Sequence, residues 1–279
     1  MSFTYKTATS TNLISLMARQ KRTMIQIIPA LARGGYSFLD LNFCEMMNPD
    51  STVDQEYIRT LGRLSKEYEL TYVQSHVPYP RDYYAMSPAE QEKSDDLISR
   101  AIEYSIELGV PSIVIHPVRG SIDANILYLS RFAALVAGTG SRLAVENMET
   151  EDEPSEHSEL LEIIKALPGN AGICLDTGHA HLRGLDIASE IRAYGQDLIA
   201  THIADNHQKT DEHLLPFFGS IDWKAVMTAM KEISYQGYMT YECMFFSRSL
   251  PLSLEEDVIR LSLKISSELA GLACSVTTA

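Results

Sequence analysis

Short apolar runs alternate eight times with longer segments of helical period along this chain. SFTYKTAT, YSFLDLNF, LTYVQSHV, PSIVIHP, SRLAVEN, AGICLDT, DLIATHIAD and GYMTYECMF read as strands. Helices are expected over residues 22–33, 54–68, 87–108, 123–136, 158–167, 186–194, 221–233 and 253–269. The second is typical: Tyr57, Ile58, Leu61 and Leu64 recur three and four apart, the spacing of one apolar helix face. Ser87 followed by Pro88 supplies a cap and a pre-set first turn for the third, and Gly34-Gly35 stops the first. A polar loop is expected over residues 206–220, and the tail CSVTTA reads as loose.

Strand–helix alternation of this kind places consecutive strands parallel, because the returning helix covers the distance between them. Eight such units in 279 residues, without linker or low-complexity stretch, predict an α/β fold of one domain, residues 1–279, a single (β/α)8 TIM barrel. The competing doubly wound sheet calls for a glycine-rich phosphate loop after strand one, and TATSTNLIS contains no glycine.

The net charge of −14 sets the chain against nucleic acid or an anionic membrane as partner. Three bound divalent cations would reduce it to about −8, so acidity weakens the nucleic-acid reading without excluding it. Cys44, Cys174, Cys243 and Cys274 show no zinc-ribbon spacing and read as small buried thiols of a reducing compartment. The longest apolar run near the N-terminus, Leu13 to Ala18, is broken by Ser15, too short for a signal peptide or a membrane span. A cytoplasmic location is the expectation.

Barrels of this class carry their chemistry at the C-terminal strand ends. Those ends hold His76, His116, Glu146, Asp176 with His179, His202 and Glu242, and the loop after strand seven adds Asp211 and His213. Imidazole and carboxylate ligands together suit Zn2+, Mn2+, Co2+ or Fe2+. A carboxylate within LAVEN or YMTYEC would cost on the order of 3–5 kcal/mol if buried unpaired. A metal removes that cost, and the only bases read as near these strand ends are Arg119 and Lys209.

The ordered series SHVPY, VIHPV, VENM, LDTGHAH, THIADN and DEHLLPFFGSIDW resembles the xylose-isomerase-like barrel superfamily, from about Thr23 to about Glu268. That superfamily includes sugar-phosphate isomerases and epimerases and also endonuclease IV. The isomerase pattern implies one divalent metal on Glu146, Asp176, His202 and Glu242, with both glutamates as acid/base catalysts and His179 touching substrate. The endonuclease IV pattern implies three zinc ions on nine ligands, His76, His116, Glu146, Asp176, His179, His202, Asp211, His213 and Glu242, serving phosphodiester hydrolysis. The resemblance therefore implies one to three ions of Zn2+, Mn2+ or Co2+ per chain. The leading expectation is a metal-dependent isomerase or epimerase of a sugar or sugar phosphate. A multinuclear phosphoesterase and a metal-dependent lyase or dehydratase are the alternatives. A homo-oligomer is compatible with any of them.

Two departures from the pattern stand out. HLLPFFGSID carries Phe217 and Phe218 where the family loop has small residues, which suggests an apolar wall over the site. HIADNHQK offers Gln208 and Lys209 where some ketose 3-epimerases carry an arginine. Lys209 and Arg119 are the candidate phosphate contacts, and Tyr79 a candidate pocket wall. His181 and His207 match no ligand position, Trp223 reads as a packing residue, and the acidic run ETEDEPSEH, with His157, reads as a solvated loop over the mouth.

Overall fold

The computed structural model describes residues 5–48, 53–169 and 171–274. Its elements follow in the order β1 (Lys6–Ser10), α1 (Met24–Arg33), β2 (Phe38–Asn42), α2 (Phe43–Met46), α3 (Gln55–Glu67), β3 (Thr71–His76), α4 (Pro88–Glu107), β4 (Ser112–Ile115) and α5 (Ile122–Val136). The second half runs β5 (Arg142–Glu146), α6 (His157–Ala166), β6 (Gly172–Asp176), α7 (Thr177–Leu182), α8 (Ile187–Tyr194), β7 (Leu198–His202), α9 (Trp223–Glu232), β8 (Tyr238–Tyr241) and α10 (Glu255–Cys274). The strands form one parallel sheet ordered β7-β6-β5-β4-β3-β2-β1-β8. A parallel bridge from Ile203 to Tyr241 joins its two edges, giving a single (β/α)8 barrel. Residues 2–4 of the expected first strand, and the expected loose tail beyond Cys274, lie outside the described residues.

Alternation along the strands decides what the barrel encloses. Ile113, Ile115, Leu143, Val145, Ile173 and Leu175 turn outward and join the large apolar core under the helices. The residues between them, Val114, Ala144 and Cys174, meet Ala200 in a separate small cluster inside the barrel. Two residues further along the same faces come His116, Glu146, Asp176 and His202, all buried. Their period of two continues the small apolar layer upward into a layer of ionisable groups at the C-terminal mouth.

The helices begin where local chemistry dictates. Thr23 with Gln26 and Ser87 with Glu90 form capping boxes on α1 and α4, and Asp54 Oδ1 accepts the Tyr57 N–H at 2.9 Å to start α3. Two short helices were not anticipated. α2 follows β2 directly because Asn42 Oδ1 caps Glu45 N at 3.0 Å. α7 follows β6 directly because Asp176 Oδ1 accepts the His179 N–H at 2.7 Å. The helical period spans too few residues in either for the sequence pattern to reveal it.

Candidate metal centre

Two groups of buried ligand atoms share the barrel mouth. Glu146, Asp176, His202 and Glu242 bring one ligand atom each to within 4.8 Å of one another, and so do His179, Asp211 and His213. His76 joins Glu146 and His202 in a third such group. Glu146 is the centre of the arrangement. Its Oε1 lies 2.9 Å from His202 Nδ1, and its Oε2 lies 3.2 Å from His76 Nε2 and 3.1 Å from His116 Nε2.

Second contacts set the direction of each imidazole. The Nδ1 atoms of His76, His179 and His213 lie 3.0, 2.9 and 2.9 Å from the backbone carbonyls of Val77, Asn147 and Glu242. A carbonyl only accepts, so each of these rings donates from Nδ1 and turns its Nε2 toward the cavity. This is the second contact typical of metal-ligating histidine. Asp176 is fixed by Asn147, whose side chain accepts from Asp176 N at 2.7 Å and donates to Asp176 O at 3.0 Å. Glu242 Oε1 accepts from Asn12 Nδ2 at 3.3 Å.

The donor set fits a cation. Asp176 Oδ2 and Asp211 Oδ1 are buried without a hydrogen-bond partner, and Glu146 Oε2 faces the Nε2 atoms of His76 and His116. The facing Nε2 atoms of His76 and His116 are 2.9 Å apart, where two lone pairs repel unless a proton or a metal ion lies between them. Buried acceptors of this density are costly unless a cation satisfies them.

Electrostatics within the site are divided. Burial acts to raise the Glu146 carboxyl, yet His202 and His116 outweigh it and hold Glu146 well below the ordinary range. Asp176 is pushed up to about 6 by burial, against the pull of His179. Burial lowers His116 to about 4. Burial likewise opposes charge on His213, but the Asp211 carboxylate, 2.6 Å from its Nε2, raises it to about 9. Displacements of this size at one mouth mark a functional site more often than a structural one.

A buried carboxylate and a backbone pair between Asp205 and Leu214 hold the loop between β7 and α9. Asp205 accepts from Phe217 N, Ile221 N and Trp223 Nε1 at 3.1, 3.2 and 2.8 Å. Gly219 passes so close that a Cβ there would stand 2.2 Å from Asp205 Oδ1. The hub holds His213 and Phe217 at positive φ, 43° and 74°, and so presents Asp211 and His213 to the site. Trp223 is thus a buried packing residue that also ties down the loop.

All nine expected ligand positions meet at the mouth, and Tyr79 joins them, its ring stacked on His116 at 3.8 Å between centroids. Arg119 and Lys209 are not brought into the cavity. Arg119 pairs with Asp82 and Asp152 at 2.7 and 3.0 Å, and Lys209 is exposed. The basic residue at the site is Arg81, which lines the cavity and bonds Glu149. Glu149 in turn lies 3.7 Å from His179 Nε2. The acidic run is therefore only partly a solvated loop: Glu153 and Ser155 are buried, and His157 is half-buried with its Nδ1 2.9 Å from Glu190. Phe217 and Phe218 are exposed, and the apolar wall of the cavity is Met244 and Phe245 instead. His181 contacts Asn206 and His207 contacts Glu212, each at 2.9 Å. Arg81, Glu149 and Glu45, also on the cavity wall, escaped the sequence reading. The one available signal was Glu149 three residues beyond the end of β5.

Fold and site together define a (β/α)8 barrel with a metal-competent carboxylate–imidazole cluster at its mouth. The chain belongs to the xylose isomerase-like TIM barrel family, whose sequence pattern matches residues 28–262. It is 26% identical over 166 residues to the uncharacterized protein y4fM of Sinorhizobium fredii, 55% of this chain and only 53%, about half, of that protein. It is 23% identical over 230 residues to the L-ribulose 3-epimerase of a Methylomonas species, 77% of this chain and 76% of that one. Among solved structures, a D-tagatose 3-epimerase-like protein superposes with a TM-score of 0.76 at 22% identity, covering 97% of this chain and all of that one. The zinc-bound IolI protein gives 0.75 at 18% identity with the same coverage. These structural likenesses establish the shared fold.

Proposed function

We propose that this chain is a divalent-metal-dependent sugar isomerase or epimerase. The observation that carries the reading is the buried group Glu146, Asp176, His202 and Glu242, drawn from β5, β6, β7 and the end of β8, with its ligand atoms within 4.8 Å of one another. These four residues would hold Zn2+, Mn2+ or Co2+, which when bound polarises a carbonyl and its neighbouring hydroxyl as a Lewis acid. Glu146 and Glu242 act as the proton acceptor and donor at the substrate carbon. Asn12 fixes one oxygen of Glu242, and Asn147 fixes the Asp176 backbone. His179 and Tyr79 contact the substrate.

The only Arg or Lys lining the cavity among the described residues is Arg81, already paired with Glu149. An unphosphorylated sugar end therefore suits the site better than a phosphate. Epimerases among the proteins of like sequence and fold support the assignment. A cytoplasmic location belongs to the same reading: Cys44, Cys174 and Cys243 are free thiols, and no described helix is long and apolar enough to cross a membrane.

The test is solvent exchange. Metal-loaded protein incubated with a panel of ketoses in 2H2O is expected to place deuterium on the carbon next to the carbonyl, with loss of exchange in chelator. A second reading, a multinuclear phosphoesterase, rests on the additional His179–Asp211–His213 group. Two or three metal ions per chain, with chelator-sensitive cleavage of an aryl phosphodiester and no deuterium uptake, would decide for it.

A further inference from the structure

The polar cavity at the cluster is small, about 230 Å3. Beside it lies a larger one of about 530 Å3, and the two share Cys44 and Tyr79 in their walls. Only the larger falls in the roughly 300–1,000 Å3 range of sites that bury most of a drug-sized ligand. Its remaining walls are chiefly Met47, Pro78, Pro80, Met86 and Leu97. Among the described residues, charge enters only from Glu90 and Lys93 of α4, both exposed. None of these groups has a part in proton transfer or metal binding. A free sugar, with hydroxyls around its ring, would leave such walls facing water, and an apolar annex opening beside a reacting centre is most simply filled by the ligand of that centre.

Resting on the isomerase or epimerase reading, we propose that the substrate is bipartite: a hydroxy-carbonyl sugar end at the cluster and an aromatic substituent in the annex. Tyr79 stands at the junction. One face of its ring stacks on His116 with 23° between planes, and its side chain also lines the apolar wall, so the ligand passes it edge or face on. An aromatic group matches this lining better than an alkyl chain does. Aromatic rings pair favourably in offset or tilted arrangements, and the Met47 and Met86 thioethers make favourable sulfur–ring contacts and adapt to ring shape. The substituent would be carried through the reaction unchanged, and the annex would select substrates by it.

The test uses chelating probes that do not depend on knowing the sugar. Acetohydroxamate presents two adjacent oxygens to a divalent ion, as a hydroxy-carbonyl group does, and phenylacetohydroxamate adds one benzene ring. Binding of each to the Mn2+-loaded full chain is measured by calorimetry. The aryl probe is expected to bind about 3- to 10-fold tighter, the gain from burying roughly half of such a group. Leu97→Trp, which fills the annex from a half-buried position on α4, is expected to bring the two probes within about twofold. Acetohydroxamate binding stays unchanged in that variant and reports an intact fold. Ser94→Trp, from the same helix and the same wall, decides the case if Leu97→Trp does not fold. Equal affinity of the two probes for the wild type, or an aryl advantage that survives filling, overturns the annex while leaving the metal-dependent reading intact. An equal gain with hexanohydroxamate overturns the aromatic assignment. Failure of acetohydroxamate to bind, or binding that persists in chelator, overturns the metal-dependent reading and this inference with it.

Discussion

At the scale of single residues, the site is a collection of groups held in unfavourable company. Glu146 contacts three imidazoles within 3.2 Å, and removing its charge takes away the group around which they are arranged. Glu146→Gln is expected to lower metal affinity by more than about 100-fold, beyond the 10- to 100-fold typical of lost outer contacts, as read by metal content after dialysis at fixed free Mn2+. Asp40 offers a different test. It lies buried on β2 with both carboxylate oxygens unpartnered, and burial pushes it up to about 6, against His202 and His76. In the unfolded chain an aspartate titrates near 3.9, so between the two values the folded state holds more protons. Stability from this residue is therefore complete at low pH and is lost as pH rises through about 6. The loss amounts to roughly 3 kcal/mol. Denaturant midpoints of metal-free protein should show Asp40→Asn gaining on the wild type from pH 4 to pH 7. A constant difference across that range would refute the assignment. Strand ends marked seven of the nine candidate ligand positions, and Asp211 and His213 were read in the loop after strand seven. Sequence spacing could not mark Arg81, Glu149 or Asp40, whose roles depend on which loops and strand faces meet them.

At the scale of elements, the decisive unit is the loop from β7 to α9. Asp205, near its start, collects donors from near its end, and Gly219 fits only because it has no side chain. Gly219→Ala is expected to cost about 1–3 kcal/mol, the range for overpacking a tight contact, and to displace Asp211 and His213. The buried group on β5, β6, β7 and β8 does not involve this loop, so chemical denaturation should register the loss while one high-affinity metal site persists. Loss of all metal binding in a folded Gly219→Ala protein would show the two groups to be one unit. The existence of the helices was legible from period and caps, and α4 starts at Pro88 after Ser87 as expected. α2 and α7 were not legible. Each is a single turn or little more, nucleated by an Asn or Asp that caps from the end of a strand, and the same side chains would serve a tight turn equally well.

At the scale of the whole molecule, one layer of ionisable groups is concentrated at the mouth of a barrel of net charge −14. A cation that binds only the folded state stabilises it by about 2.7 kcal/mol at a hundredfold excess over its dissociation constant. For a barrel of this size that is a rise of roughly 5–10 °C in the thermal midpoint. Chelation should reverse the rise, and a midpoint indifferent to chelator and to added Mn2+ would count against the metal centre. The sequence by itself determined the barrel, since eight alternations of strand and helix call for a parallel sheet and the loop after strand one lacks the glycines of the doubly wound form. It also determined which residues stand at the strand ends, because a period of two fixes the inward face of each strand. Tertiary structure alone decided which loop residues reach the mouth. Arg119 was turned away into a surface network with Asp82 and Asp152, while Arg81 was turned in against Glu149. It also decided that an apolar annex opens next to the cluster across Tyr79. Loop direction and cavity shape arise from contacts between segments far apart in the chain, and no local period records them.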